Sequence, residues 1–286
     1  MKWNDLGLGR KLGIGFGAVI ILAVILGLVA VFSMNTIRQQ SDYLRLDYVP
    51  EADLAIKIQN ATQQAMYANR AYSFTGEKRY LNEGQAHLND LQRHLEASIQ
   101  LEQNSDILEA IKDVNDAIEK AKREYESYLN QTAQTVEDMD VAGDQMDAAA
   151  GRYMRNCFAF LNSQNQQMEQ EIAAGTATAA RLERITKIKN LIDAGNTVRV
   201  NNFKAQARRE VSAMQKAVAE FEGSLSTIQD LRGVVAQNTS LQQLDEIEDA
   251  GSSYMNAMQE YLTNWQQRED LNAKKKKKAD DALSAA

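Results

Sequence analysis

The residues best suited to bind a ligand lie on a helical stripe that begins apolar and then becomes polar. Taken at steps of three and four residues, this stripe consists of Ile185, Ile188, Ile192, Gly195, Arg199, Asn202 and Gln206. An arginine inside a helical bundle loses hydration and needs a carboxylate or several acceptors in return. Its planar fork of donors binds a carboxylate through two parallel hydrogen bonds, and amide side chains can complete the cage. The pattern indicates a pocket for a small organic anion between helices.

An internal repeat predicts a second stripe of the same kind. A shift of 129 residues places Arg70 on Arg199 and Phe74 on Phe203, although chance matching of amphipathic helices is an alternative explanation. Transferred by this shift, the stripe consists of Ile56, Gln59, Gln63, Met66, Arg70 and Ser73, with Tyr67 and Tyr72 as walls beside Arg70. The predicted ligand-binding residues are Gln63, Tyr67, Arg70, Tyr72, Asn196, Arg199, Asn202 and Gln206.

These residues have other interpretations that the sequence leaves open. Arg70 and Arg199 can pair with internal Asp or Glu, or extend along the surface until the guanidinium reaches water. Tyr67 and Tyr72 can serve packing alone. Each predicted pocket also has a single inward arginine, so a monocarboxylate, an amino acid and an aromatic acid all remain candidate ligands.

No pattern in the sequence predicts catalysis, a metal site or a cofactor. There is no glycine-rich phosphate loop, no His-Glu-x-x-His motif and no Ser/His/Asp grouping. His87 and His94 lack acidic partners at ligand spacing. Cys157 is the only cysteine and is expected to be a small buried hydrophobe. The five lysines at 274–278 cover all sides of a helix and are expected to be solvated, with attraction to anionic lipid or a partner as the alternative.

Composition and charge favour an all-α protein that does not bind nucleic acid. Pro50 is the only proline, and glycine is modest at 15 of 286 residues, whereas turn-rich β-structure recruits both residue types. The formal net charge is −7, while neutralising phosphates requires an excess of Lys and Arg.

A membrane helix is predicted at residues 13–33, which contain no charged side chain. At 1.5 Å per residue this run spans roughly 30 Å, the thickness of the hydrocarbon core. Lys2, Arg10 and Lys11 precede the run and only Arg38 follows it closely, which places residues 1–12 in the cytoplasm. A cleaved signal peptide is the alternative, but the run is long and no A-x-A-like site follows it.

Heptad spacing in the remainder predicts six helices, at about 39–75, 79–102, 105–174, 177–206, 208–235 and from 239 onward. One such stripe consists of Leu54, Ile58, Ala61, Ala65, Ala68 and Tyr72. The third helix, about 70 residues and roughly 105 Å long, is too long for one compact bundle. We therefore expect two four-helix bundles stacked end to end and sharing two long helices. The membrane-proximal bundle takes about 39–128 and the end of the last helix, and the distal bundle takes about 140–262.

Three stretches of the chain resemble a known family. The opening LGLGRKLGIGFGAVIILAVILGLVAVFS is similar to the first membrane helix of methyl-accepting chemotaxis proteins. The stretches AMYANRAYSFTGEKRYLNEG (65–84) and GNTVRVNNFKAQARR (195–209) resemble the two hairpins of their helical bimodular sensor domain. The resemblance extends over nearly all of the chain after residue 8, but the long helices match many coiled coils.

The resemblance implies a periplasmic sensor, residues 35–286, anchored in the inner membrane. It implies binding of a small carboxylate in one or both bundles, a homodimer, contact with membrane lipid and no enzymatic activity. A second membrane helix and a cytoplasmic signalling region, which such receptors carry, are expected to be absent from this chain. A histidine kinase or cyclase sensor, a sensor of a periplasmic protein and a helical spacer without ligand are the alternatives.

Overall fold

The computed structural model describes residues 7–43, 45, 49–102 and 108–285, and within these residues it contains helices and no strand. The helices are α1 (Leu8–Tyr43), α2 (Val49–Thr75), α3 (Lys78–Glu102), α4 (Leu108–Ala173), α5 (Ala179–Arg208), α6 (Val211–Gly233) and α7 (Asn238–Ala285). The all-α class is confirmed. Lys2 and the predicted boundary between the helices at 79–102 and 105–174 lie outside the described residues.

Most helix bounds agree with the sequence to within a few residues, but the start of α2 does not. The helix that contains the apolar run continues to Tyr43, and α2 begins at Val49, so a new helix at 39 is wrong. Pro50 is the second residue of α2, a position that requires no backbone N–H. The boundary predicted between residues 206 and 208 lies slightly later, after Arg208. Arg209 adopts the left-handed conformation (φ 60°), and the Glu210 N–H donates to the Ala205 carbonyl at 3.0 Å.

Helix α1 is long and apolar enough to span a membrane. Its candidate span is Lys11–Asp42, with a mean hydropathy of 3.0. Its large apolar side chains are exposed, and it packs against none of the other described helices. A helix of this kind is stable in hydrocarbon, where all of its backbone hydrogen bonds are internal.

Two hydrophobic clusters form the interior, and α4 and α7 contribute to both. The first, here called the near cluster, consists of Ile58, Ala61, Ala65, Leu88, Leu91, Leu95, Ile118, Ala121, Tyr125, Leu129, Ala279 and Ala282. The second, here called the far cluster, draws on α4, α5, α6 and α7, and its aromatic side chains are Tyr153, Phe160, Phe221, Tyr254 and Trp265. Helix α4 has 66 residues and is therefore roughly 100 Å long, which allows it to pack in both.

Tyr153 lies in the far cluster, where two glycines leave room for its ring. Its ring packs edge-on against Phe221, with the centroids 5.2 Å apart, and its hydroxyl donates to the Leu191 carbonyl at 3.3 Å. A Cβ on Gly195 would lie 2.8 Å from the Tyr153 ring, and a Cβ on Gly251 would lie 3.3 Å from it. Both α5 and α7 can approach Tyr153 closely because these positions lack a side chain.

Arg209 connects the ends of the two helical hairpins α2–α3 and α5–α6. Its Nη2 donates to the Phe74 carbonyl at 3.2 Å, and its guanidinium lies over the Phe74 ring. The C-terminal end of α2 is thereby fixed against the C-terminal end of α5. Both helices consequently point toward the region between the two clusters.

We expect Gly195→Ala to destabilise the chain by about 1–3 kcal/mol, because the added methyl meets a rigid buried ring. Thermal unfolding of the full chain in detergent measures the effect. Gly223→Ala is the matched control, since nothing lies within 4 Å of a Cβ at that helical position, and it should stabilise by up to about 1 kcal/mol. Equal unfolding temperatures for the two variants would contradict the close contact at Gly195.

Candidate ligand-binding site

The predicted stripe on α2 is wrong in orientation. Arg70 and Tyr67 are exposed and Gln63 is only half-buried, so Arg70 does not point into a bundle. The buried face of α2 consists of Ile58, Ala61, Thr62, Ala65, Ala68, Asn69, Tyr72 and Ser73. This buried face follows the heptad stripe that begins at Leu54. The stripe derived from the repeat is rotated away from the buried face, because a step of one residue turns a helix by about 100°. The apolar Ile56 and half-buried Met66 made the wrong stripe resemble a core face.

Among the predicted ligand-binding residues on α2, Tyr72 alone is buried. Burial raises the pKa of its hydroxyl, and the carboxylates of Asp140 and Glu137 on α4 raise it further. Tyr72 therefore remains a neutral phenol beside acidic neighbours. An anionic ligand would not be attracted to this side of the hydroxyl.

Three of the four predicted α5 residues converge on one place, here called the far polar cluster: Arg199, Asn202 and Gln206 with Met146 of α4 and Tyr254 of α7. Asn202 is buried, its Nδ2 lies 2.8 Å from the Met146 sulfur, and its Oδ1 accepts from Gln206 Nε2 at 3.0 Å. Asn196 is exposed and takes no part, because it lies on the opposite face of α5 from the buried Val198 and Asn202.

The far polar cluster carries an arginine without an ion-pair partner among the described residues. Arg199 is half-buried, and its charge lowers the pKa of the Tyr254 hydroxyl, while burial, the larger effect, raises it. The hydrogen bond from Asn202 also lowers this pKa, and exposed Asp147 raises it. The arrangement offers a guanidinium, two amides and a phenol, which together suit a small carboxylate.

The sequence prediction missed a polar layer at the edge of the near cluster, here called the junction layer: Asn69, Ser73, Tyr125 and Lys275. Lys275 was expected to be solvated with the rest of its lysine run, and this is wrong, because only 4% of it is exposed. Its Nζ donates to the Ser73 hydroxyl at 2.9 Å. Asn69 is fully buried, and its Nδ2 donates to the Tyr125 hydroxyl at 3.3 Å. The signal was the spacing of four that connects Leu271, Lys275 and Ala279.

Burial lowers the pKa of Lys275 to about 8, and the positive charge of Arg268, one heptad earlier, lowers it further. The neighbouring lysines differ: Lys274 pairs with Asp270 at 2.6 Å, and Lys278 pairs with Glu124 of α4 at 2.7 Å. The charge on Lys275 is therefore the one in its run that the fold disfavours.

A second buried cation, Arg181, also escaped the sequence prediction. It lies at the start of α5, where its Nη2 donates to Glu171 Oε1 at 2.6 Å and its Nη1 donates to Gln164 Oε1 at 2.6 Å. Gln164 in turn donates to Ser240 at 3.3 Å, so α4, α5 and α7 are joined. Because its charge is already paired, Arg181 is a structural group and not a candidate for ligand binding.

Cys157 is fully buried, as expected. Burial raises the pKa of its thiol to about 12, which keeps it protonated and unreactive at neutral pH.

The chain matches no known protein-family model. No curated protein is similar to it at a significant level. The function of the chain is therefore inferred from the geometry of its described residues.

We expect Lys275 to make the stability of the chain depend on pH. Its pKa is about 8 in the folded chain against an ordinary 10.5, so between these values the unfolded chain binds more protons than the folded one. The free energy of unfolding should rise with pH, by about 2 kcal/mol between pH 7.5 and 9.5, relative to Lys275→Met. Denaturant titrations of the full chain in detergent measure this difference.

Lys277→Met is the matched control, because Lys277 belongs to the same run and is exposed. It should leave the rise with pH unchanged. If the free energy of unfolding changes with pH equally in wild type and in Lys275→Met, Lys275 is not buried as a cation.

Proposed function

We propose that this chain is the ligand-sensing portion of a bacterial transmembrane chemoreceptor that binds a small organic anion. The observation that carries the proposal is that α4 and α7 each contribute buried side chains to both clusters. A packed helix that is continuous through two regions can couple them mechanically. Binding and signalling of this kind require no catalytic group.

In this proposal the near and far clusters are the cores of two four-helix bundles stacked end to end. Helices α2 and α3 complete the near bundle, and α5 and α6 complete the far one. The close packing of α2 on α3 and of α5 on α6, each joined by a short turn, supports this arrangement. Helix α1 anchors the chain in the inner membrane in this proposal, which its exposed apolar surface supports, and residues 35–286 lie in the periplasm.

The far polar cluster is the binding site in this proposal, with Arg199 as the group that pairs with the ligand carboxylate. Asn202 and Gln206 are positioned to complete the cage, and Tyr254 places α7 in contact with it. A ligand changes the packing of α7 only if it binds one arrangement more tightly than the other. A displacement of α7 along its axis, on the order of 1–2 Å, would then reach the near cluster, where α7 ends.

We propose that the chain acts as a homodimer and that the outward face of α2 is the contact between the copies. This face carries Ile56, Tyr67 and Phe74 at helical spacing, and each has more than half of its surface exposed. Gln63 and Arg70 lie on the same face. An apolar stripe on the side opposite the buried stripe is typical of a helix with partners on both faces.

A thermal-shift screen of organic acids and amino acids on the full chain in nanodiscs tests the binding proposal. We expect a carboxylate to raise the unfolding temperature, and Arg199→Ala to weaken its binding roughly 10- to 100-fold, the effect of losing a charged hydrogen bond. Lys204→Ala is the control and should bind normally, because Lys204 is a cation on the same helix as Arg199 that faces solvent. If no acid in the screen shifts the unfolding temperature, or if Arg199→Ala binds as well as wild type, the proposal fails.

Disulfide cross-linking in membrane vesicles tests the dimer. We expect Tyr67→Cys, in a Cys157→Ala background, to give a covalent dimer on mild oxidation, since residues facing a twofold axis approach their own copies. Lys216→Cys is the control, because Lys216 is exposed on α6. Cross-linking that is equally slow at both positions would rule out the α2 interface.

A further inference from the structure

The junction layer contains a buried positive charge that the described residues do not neutralise. Lys275 has one hydrogen-bond partner among them, the neutral hydroxyl of Ser73 on α2. An ammonium has three N–H donors, so two are left without an acceptor in the described part of the chain. Burying a cation in this way is costly unless a counter-charge is supplied.

The acidic groups around the layer are directed elsewhere. On α4, Glu124 pairs with Lys278, and exposed Glu137 and Asp140 act on Tyr72. On α7, Asp270 pairs with Lys274.

A charged neighbour of Lys275 on α7 adds to the positive potential. Arg268 is mostly buried, it pairs through Nη2 with exposed Glu269 at 3.2 Å, and its Nε has no hydrogen-bond partner within the ranges that the structure describes. Two cations therefore lie on one face of α7, one heptad apart, and Lys275 contacts α2 through Ser73. Positive charge in a partly water-excluded place attracts an anion more strongly than the same charge in water.

We infer that the junction layer binds a small monovalent anion, a halide or a one- to two-carbon carboxylate, on the Lys275 ammonium. This site is separate from the far polar cluster and does not depend on the proposed function. Bound there, the anion would accept hydrogen bonds from the two N–H groups of Lys275 that do not donate to Ser73. Its negative charge would offset the free-energy cost of burying the ammonium.

Close packing around the layer limits the size of the anion, because Lys275, Ser73 and Asn69 are all buried. A separate cavity, one helical turn from Lys275 along α7, is lined by Thr62, Ala65, Tyr125 and Lys278, among others, but not by Lys275, and it has room for about one water molecule. Chloride and formate are near this size, whereas an aromatic acid is far larger. We therefore expect the site to exclude aromatic acids.

The test measures the unfolding temperature of the full chain in detergent at pH 7 and constant ionic strength. The varied sodium salts are chloride, formate, acetate and benzoate. A ligand that binds only the folded chain stabilises it in proportion to the logarithm of its concentration above Kd. We expect this rise for chloride or the short carboxylates and none for benzoate. A rise with chloride alone identifies a halide site, and a rise with formate or acetate alone identifies a carboxylate site.

Lys275→Met should abolish the rise, and Lys277→Met should retain it in full. Lys275→Arg, which keeps the charge, serves if the methionine variant folds poorly, and it should retain at least part of the rise. Line broadening of ¹³C-formate and of ³⁵Cl in NMR gives a direct reading of binding, which should also be lost in Lys275→Met. Equal salt responses in wild type and Lys275→Met, or no anion response in wild type, would overturn the inference.

The two binding sites are distinguishable. Arg199→Ala should leave the response to small anions unchanged, and Lys275→Met should leave the binding of an organic acid at the far polar cluster in place. Loss of both responses in either single variant would contradict the separation of the sites.

Discussion

The packing of α4 against α7 is the constraint on which the rest of the structure depends. These helices have 66 and 48 residues, and each presents buried side chains to both clusters. The shorter helices can then pack as two separate hairpins, α2–α3 and α5–α6, on one continuous pair. A stripe of buried residues that continues through both clusters fixes the rotation of each long helix, and this rotation decides which polar groups enter the interior.

Polar residues enter at equivalent positions of the two hairpins. Ser73 and Asn202 are related by the same shift of 129 residues as Arg70 and Arg199, and both are buried. Each lies against α7, Ser73 on Lys275 and Asn202 near Tyr254. Buried polar contacts contribute little net stability, but they disfavour other registers because a shift would leave them unpaired. They are therefore suited to hold α7 in one axial position.

Two buried cations in the described part of the chain differ in whether the protein supplies a counter-charge. Arg181 is 5% exposed and pairs with Glu171, with Gln164 as a further acceptor. Lys275 is 4% exposed, and among the described residues it has a hydroxyl alone. The first arrangement is complete within the protein, so it contributes to a fixed structure. The second is incomplete, and its energy can change with protonation or with a bound anion, which makes it the place where solution conditions act on the fold.

The sequence by itself determined the elements. The uncharged run at 13–33 identified the apolar α1, helix-forming composition and heptad spacing indicated the all-α class, and the stripe from Ile58 to Tyr72 identified the buried face of α2. Only the tertiary structure decided which polar side chains face inward. Arg70 and Asn69 are adjacent and differ by about 100° around the helix, so a stripe chosen one residue away exchanges core for solvent. Lys275 is buried because its neighbours on α7 pack against α2 and α4, and within the run of five lysines only its spacing of four from Leu271 and Ala279 distinguishes it.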